Sequence, residues 1–494
     1  MTRIVLLVPP WYRLLGGSFA EMPLGLCSLA GYLQTLGHEV QVLNADFEPN
    51  GRGGEIEQES MLARYDDYRR VMQDPEAPIW QRTLNEVEDL KPELLGMTAQ
   101  VGSFGSARII ASLFRARHAE VPVVVGGPMA SISPEDCLAV EAFDYVVQGE
   151  GELPFAELAA ALETGADPGD IANLAFRRRE RNVINPRRPE IDDLDTLPFP
   201  NREVLVHRDR YPTDALGLLF TARGCPFHCT YCAASAVWSR KVRFRSPENV
   251  LAEMASVYQR FGVRRFTFKD DTFTLKKDRI HRLCELIRGE LAGVTWSCLT
   301  RADCVDEPLV RAMARAGCRH VELGLESGCP EILKVIKKGE TVEQIAQAAR
   351  WFRSAGIAIA VNIILGFPGE TPAQMRRSFA VARDMRPARI LVSLLAPYPG
   401  TEIHQTLRGQ GALSSSDALE DFFHASGSSS RLHHDPDFAH AVHDILTDAR
   451  RYNRSRVRRL GDLARLAIHH PGVACSRLRS RLRPTLRVSM RRDA

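Results

Sequence analysis

Hydrophobic and polar positions along the chain fall into two stretches in which short β-branched runs alternate with longer amphipathic ones. In the first, Ile4 to Val8 reads as a strand, Leu24 to Leu36 has the apolar spacing of a helix ending near Gly37, and His38 to Leu43 reads as a second strand. A long polar, helix-compatible stretch runs to about Lys91. Strands return at Leu94 to Thr98 and Val121 to Val125, with a helix around Ala107 to Arg117 between them. This β-α-β-α-β order predicts a doubly wound parallel sheet. In the second stretch, six runs alternate with helical text: Leu216 to Thr221, Arg265 to Lys269, Val294 to Leu299, His320 to Gly324, Ile357 to Leu365 and Ile390 to Leu395. That pattern predicts a parallel barrel or partial barrel, with its chemistry at the carboxyl ends of the strands.

Between the two stretches, Arg177 to Asn201 is charged and proline-rich with neither helical nor strand period, and reads as a linker. Gly409 to Arg431 is rich in serine and glycine, and helical text resumes from about Phe438. The expected division is therefore an α/β domain over 1–176, a linker over 177–212, the barrel over 213–408 and a helical, basic region over 409–494. A chain of 494 residues fits this division, because single cores stop growing at roughly 250 to 300 residues.

A net charge of +3 gives no global case for a nucleic-acid partner. The basic residues gather late, through Arg450, Arg451, Arg454, Arg456, Arg458, Arg459, Arg477, Arg479, Arg481 and Arg483. An anionic surface or substrate is one reading of them, and a solvated helix face is the other. No apolar run is long enough to cross a membrane, and the amino-terminal text reads as a strand and not as a signal peptide, so a cytoplasmic protein is expected. Of eleven cysteines, three fall within eight residues, which suits metal ligation in a reducing compartment better than a disulfide framework.

Two glycine-rich turns follow strands of the first stretch, Gly126-Gly127-Pro128 and Gly149-Glu150-Gly151-Glu152. Ligands of open α/β sheets bind at that rim, and paired glycines admit close backbone approach, but tight turns explain the same residues. No GxGxxG follows the first strand, which argues against a dinucleotide fold.

Directly after the first strand of the second stretch stands Arg223-Gly224-Cys225-Pro226-Phe227-His228-Cys229-Thr230-Tyr231-Cys232. Three thiolates at Cx3Cx2C spacing can grip three corners of a four-iron four-sulfur cluster and leave one iron open to a ligand. A structural zinc site would need a fourth ligand, and His228 lies at a spacing that matches no common zinc layout.

This segment resembles the signature of the radical S-adenosylmethionine superfamily, and the resemblance covers about Leu216 to Glu402. It implies that the open iron chelates S-adenosylmethionine and that the reduced cluster cleaves it to a radical able to take hydrogen from an unreactive carbon. It further implies Tyr231 near the adenine and Asp270 and Asp271 at the cofactor's amino group. Glu322, Glu326 and Ser327 would reach the ribose and polar end, and Asn362 to Glu370, with Gly366, would support adenine. Arg301 would be the partner of the cofactor carboxylate, since a guanidinium presents a planar fork to it. Asp270 and Asp271 replace the Gly-Gly-Glu of many members.

The first stretch resembles the cobalamin-binding subgroup of that superfamily, which implies a Rossmann-like cobalamin domain with Ser103, Gly126, Gly127 and Gly149 to Glu152 lining the corrin and its nucleotide tail. The DxHxxG motif is absent, so no histidine of this chain is expected on cobalt. Methylthiotransferases also carry an α/β domain here, but they use three further cysteines where this half offers Cys27 and Cys137. The implied activity is methylation of an unactivated carbon in a small, secondary-metabolite or lipid-like molecule, with an electron donor such as flavodoxin or ferredoxin. A cobalamin-assisted cyclase resembling the anaerobic tetrapyrrole cyclases is the alternative enzyme. A non-catalytic iron-sulfur or cobalamin sensor is a third reading, against which the strand-end cofactor residues speak.

Overall fold

The computed structural model describes residues 1–48, 64–179, 181–413 and 435–455. Strands β1 (Arg3–Val8), β2 (Glu39–Asn44), β3 (Leu94–Thr98), β4 (Val123–Gly126) and β5 (Tyr145–Val147) form a parallel sheet in the order β2-β1-β3-β4-β5. Their runs are mostly apolar because helices cover both faces. Ile4 and Leu6 pack in one core with the helices Leu24–Thr35 and Glu152–Thr164, while Val5 and Leu7 pack in another with Pro78–Asp89 and Phe104–Arg117.

The sheet continues into the stretch read as a linker. There β6 (Leu174–Arg178) and β7 (Arg181–Ile184) add antiparallel to β5 as a terminal hairpin, so the expectation of no strand from Arg177 is corrected at its start. Charged side chains suit an exposed edge strand, which is why composition concealed it.

In the second half, β8 (Leu218–Leu219) is followed by a short antiparallel pair, β9 (Ala222–Arg223) with β10 (Arg243–Phe244). Then come β11 (Arg265–Phe268), β12 (Thr295–Thr300), β13 (Cys318–Glu326), β14 (Ala358–Leu365) and β15 (Arg389–Leu394). Six strands run parallel in the sequential order β8-β11-β12-β13-β14-β15, a partial barrel as the sequence predicts. Phe266, Phe268 and Trp296 point into the helical jacket and are buried. The alternate positions Thr267, Ser297, Glu322 and Asn362 face a cavity instead, so this barrel has a polar lumen where a closed barrel would have packed side chains.

The last helix among the described residues, Pro436–Arg454, covers the far edge. Asn453 donates from Nδ2 to the Ile390 carbonyl at 2.9 Å and accepts from the Ile390 amide at 3.0 Å, taking the place of a neighbouring strand on β15. The basic positions from Arg456 onward lie outside the described residues.

Candidate functional site

A cavity of about 360 Å³ opens at the carboxyl ends of the barrel strands, lined by Cys225, Cys229 and Cys232 together with Tyr231, Asp271, Arg301, Glu322, Glu326 and Asn362. These three cysteines are half-buried, whereas the other described cysteines are buried. Tight backbone geometry delivers them. Gly224 has φ 98° and leaves no room for a side chain against the Lys241 carbonyl. The Thr230 amide donates to the Ile336 carbonyl at 3.0 Å, and the Thr230 carbonyl accepts from Ile403 at 3.0 Å. His228 is exposed and does not line the cavity.

Among the described residues no group of three or more His, Cys, Asp and Glu side chains closes around a single ion. The donor set of three thiols on one loop suits an iron-sulfur cluster bound at its corners. Burial pushes the Cys232 thiol up to about 12, so a thiolate there calls for a cationic partner such as a metal corner supplies.

The remaining sequence-predicted residues divide into groups. Asp271 lines the cavity with its side chain open to solvent there, and partial desolvation together with the neighbouring Asp270 pushes its carboxyl up to about 6. Asp270 also lines it, but its oxygens are engaged by the Thr221 amide at 2.6 Å, the Thr221 hydroxyl and the Ala222 amide at 3.2 Å. It braces the turn that leads to the cysteines. Tyr231 stacks edge-on against Phe367 at 5.7 Å between centroids. Glu322 lies deeper in the lumen, where burial raises its carboxyl, and it bonds to Asn362. Asn362 Oδ1 is buried with no hydrogen-bond partner, a free acceptor on the cavity wall.

Two positions stand behind the wall. Ser327 is fully buried and bonds the Ser378 hydroxyl at 3.1 Å. Gly366 donates its amide to Glu370 at 2.8 Å in a turn that this carboxylate closes.

Sequence reasoning missed Phe227, Lys269, Lys338 and Glu340. Phe227 lies under the Arg301 guanidinium, 3.6 Å from ring centroid to Cζ. Lys269 pairs with Glu21 of the first half at 2.8 Å. Lys338 is 5% exposed, lines the cavity and pairs with Glu326 at 3.1 Å. Lys338 and Glu340 sit in a loop beyond β13 with no strand end to mark them. The Lys338-Gly339-Glu340 text was their available signal.

At the rim of the first sheet, Gly127 has φ 89°, and an added Cβ would stand 2.6 Å from Thr98 Oγ1. Gly126 has no atom nearer than 3.7 Å to such a Cβ, which leaves a bare rim suited to a broad flat ligand. Gly149 has φ 68° and donates to Ser131 Oγ at 2.9 Å. Ser103 Oγ accepts from the Gln100 amide at 3.1 Å at the start of the helix Phe104–Arg117.

Glu150 is engaged otherwise. It accepts from Arg223 at 2.6 Å and Arg243 at 2.8 Å, and Glu152 accepts from Arg223 at 2.6 Å. The rim loop is thereby clasped to the strand that enters the cysteine segment. The helix Pro128–Ile132 packs against the helix Ala234–Val237, and a side chain at Gly400 would meet Ile132 and Ala236 both at 3.1 Å. Both candidate cofactor surfaces thus meet at one junction.

Comparison with known proteins agrees with this arrangement. The Radical SAM superfamily matches residues 219–382, and the B12 binding domain matches residues 18–159. An uncharacterised methyltransferase of Pyrococcus horikoshii is 32% identical over 323 residues, which span 64% of this chain and 70% of that protein. The anaerobic magnesium-protoporphyrin IX monomethyl ester cyclase of a Synechocystis species is 30% identical over 366 residues, spanning 72% of this chain and 67% of that protein. The fold is similar to that of the radical S-adenosylmethionine methyltransferase TsrM from Kitasatospora setae with cobalamin and a four-iron four-sulfur cluster bound. That likeness has TM-score 0.64 and 23% identity, and covers 83% of this chain and 76% of the other. The cofactors of the family are the iron-sulfur cluster, S-adenosylmethionine and cobalamin. This chain belongs to the methyltransferase-like radical S-adenosylmethionine enzymes that carry a cobalamin-binding domain.

Proposed function

We propose that this enzyme, with cobalamin, methylates an unactivated carbon of a small molecule. One observation supports the reading above the others: the loop that continues the glycine rim is clasped by Glu150 and Glu152 to the strand entering the cysteine segment, beside a polar lumen able to hold a substrate. When bound, the cluster supplies the electron that cleaves S-adenosylmethionine, and cobalamin supplies methyl carriage.

The chain's own groups do the holding. Cys225, Cys229 and Cys232 would ligate the cluster. Tyr231, braced by Phe367, would flank the adenine, and Asp271, Arg301 and Glu326 would face the polar end of S-adenosylmethionine. Ser103, Gly126, Gly127 and Gly149 would border cobalamin, and no histidine would reach cobalt. Glu322 and Asn362 lie deeper, where they can orient the substrate and keep the reacting carbon from drifting. In this reading a flavodoxin- or ferredoxin-like protein donates electrons, the enzyme works in the cytoplasm, and the domains follow the division expected from the sequence, with the hairpin of β6 and β7 joining the first.

The test is an anaerobic incubation of cluster- and cobalamin-loaded protein with methyl-labelled S-adenosylmethionine, a strong reductant and a metabolite extract. Label retained in a new product is expected. An unlabelled product with an altered ring would favour the cyclase chemistry, and no 5'-deoxyadenosine at all would overturn the reading.

A further inference from the structure

Beneath Cys229 lies a group of charges that cofactor holding and simple folding account for only in part. Arg301 directs Nη1 at Cys229 Sγ across 3.8 Å. Its Nη2 donates to Asp303 at 2.7 Å and to the Lys338 carbonyl at 2.7 Å. Lys338 Nζ stands 3.1 Å from Glu326 and 3.3 Å from Glu340 Oε2. That same Oε2 is 3.5 Å from Arg301 Nη2 and has no hydrogen-bond partner. The other oxygen of Glu340 accepts the Ala302 amide at 2.6 Å, so the carboxylate is fixed in place. Its side chain is 0% exposed.

Burying such charges removes hydration worth several kcal/mol for each ion, and replacing buried ion pairs by apolar groups is often neutral or stabilising. Stability alone is therefore a weak reason for two cations and a wholly buried carboxylate under one sulfur. Burial by itself would lower the Lys338 ammonium, but Glu326 and Glu340 outweigh it and keep the cation charged. An N–H directed at a ligand sulfur, and net charge near it, are the levers by which a protein sets the potential of an iron-sulfur cluster. At low solvent exposure those charges act with little screening.

We infer that Arg301, Lys338, Glu340 and Asp303 form a charge cradle that sets the reduction potential of the cluster through Cys229. Arg301 and Lys338 favour the reduced, more negative cluster, while Glu340 and Asp303 oppose them. Lys338, Glu340 and Asp303 are positioning residues that act through the ligand, and Arg301, which would also face S-adenosylmethionine, acts on it through Nη1. The inference rests on Cys229 as a cluster ligand and is independent of whether the enzyme methylates or cyclises.

The sign of each effect is fixed in advance. Potentials are read by reductive titration of the cluster-loaded protein without S-adenosylmethionine or substrate, followed by electron paramagnetic resonance. Lys338→Met removes a cation, and its midpoint should move to a more negative value. Glu340→Gln and Asp303→Asn each remove an anion at nearly constant shape, and their midpoints should become more positive. A merely structural role would not produce opposite signs, so shifts in one direction for all three, or none with iron content intact, overturn the inference. Should the two buried variants fail to fold, Asp303→Asn decides alone, because its side chain is 26% exposed and its loss leaves the buried set in place. A Cys229→Ala protein that still loads an unaltered cluster refutes the ligand assignment, which is a different failure.

Discussion

Asp306 caps the helix Glu307–Arg315, one oxygen accepting the Leu309 amide at 3.0 Å and the other meeting Lys277 at 2.8 Å. The hydrogen bond from Lys277 holds its carboxyl below the ordinary value. A depressed folded value means that the stabilisation is complete above the unfolded carboxyl's titration and disappears as pH falls through the folded one. Asp306→Ala should therefore cost about 1 kcal/mol at neutral pH, measured as a lower urea midpoint, with wild type and variant converging in acid. At the glycine rim proposed to border cobalamin, Gly127→Ala places a methyl against Thr98 at a positive φ and should lower stability by about 1 to 3 kcal/mol. Equilibrium dialysis should show weaker cobalamin retention at a temperature where the protein stays folded. The spacing of Cys225, Cys229 and Cys232 was legible in the sequence because residues on one loop leave a linear pattern, and the structure brings all three to one cavity. Glu340 and Lys338 left only the short Lys338-Gly339-Glu340 text, whose meaning comes from Arg301, more than thirty positions upstream.

Elements were legible where period and burial agree, and obscure where charge covers a strand. The run Leu94 to Thr98 is predicted and observed at the same residues, and its burial on both faces explains why. The hairpin of β6 and β7 escaped because its edge carries Arg178 and Arg181, and solvent on one side removes the apolar signal. The Glu150 and Glu152 contacts with Arg223 and Arg243 could not be read at all, since they join the rim of the first sheet to the separate pair of β9 and β10. These side chains are nearly buried, so removing one partner leaves an unpaired charge at about 3 to 5 kcal/mol. Glu152→Gln and Arg223→Met should each destabilise the protein, and the double variant should lose less than the sum by about 1 to 3 kcal/mol. Chemical denaturation of all four proteins in the cycle measures this, and strict additivity would mean that the clasp contributes nothing to holding rim against barrel.

On the scale of the whole molecule, the two halves match separate families, yet their apolar cores do not stop at the division. One core runs from Ile4 and Leu24 through Leu205 and Tyr211 to Leu218 and the barrel helices. The other joins Val5 and Phe104 to Ile332, Phe367 and Ile403. Polar contacts follow the same course, with the Val42 amide donating to the Val204 carbonyl at 2.9 Å and Gly31 so close to the chain that a Cβ would lie 2.7 Å from the Phe199 carbonyl. Interfaces between mobile domains are more polar and permit relative motion, whereas shared cores couple the unfolding of the parts they join. Differential scanning calorimetry at neutral pH should accordingly give one cooperative transition for both halves, with fluorescence of Trp80 and Trp296, one buried in each half, changing at the same temperature in single-tryptophan versions. Two separated transitions would mean that the junction yields first. The cysteine segment and the glycine rim of the first sheet would then be free to change their spacing, which would count against the proposal that both cofactor surfaces act on one substrate.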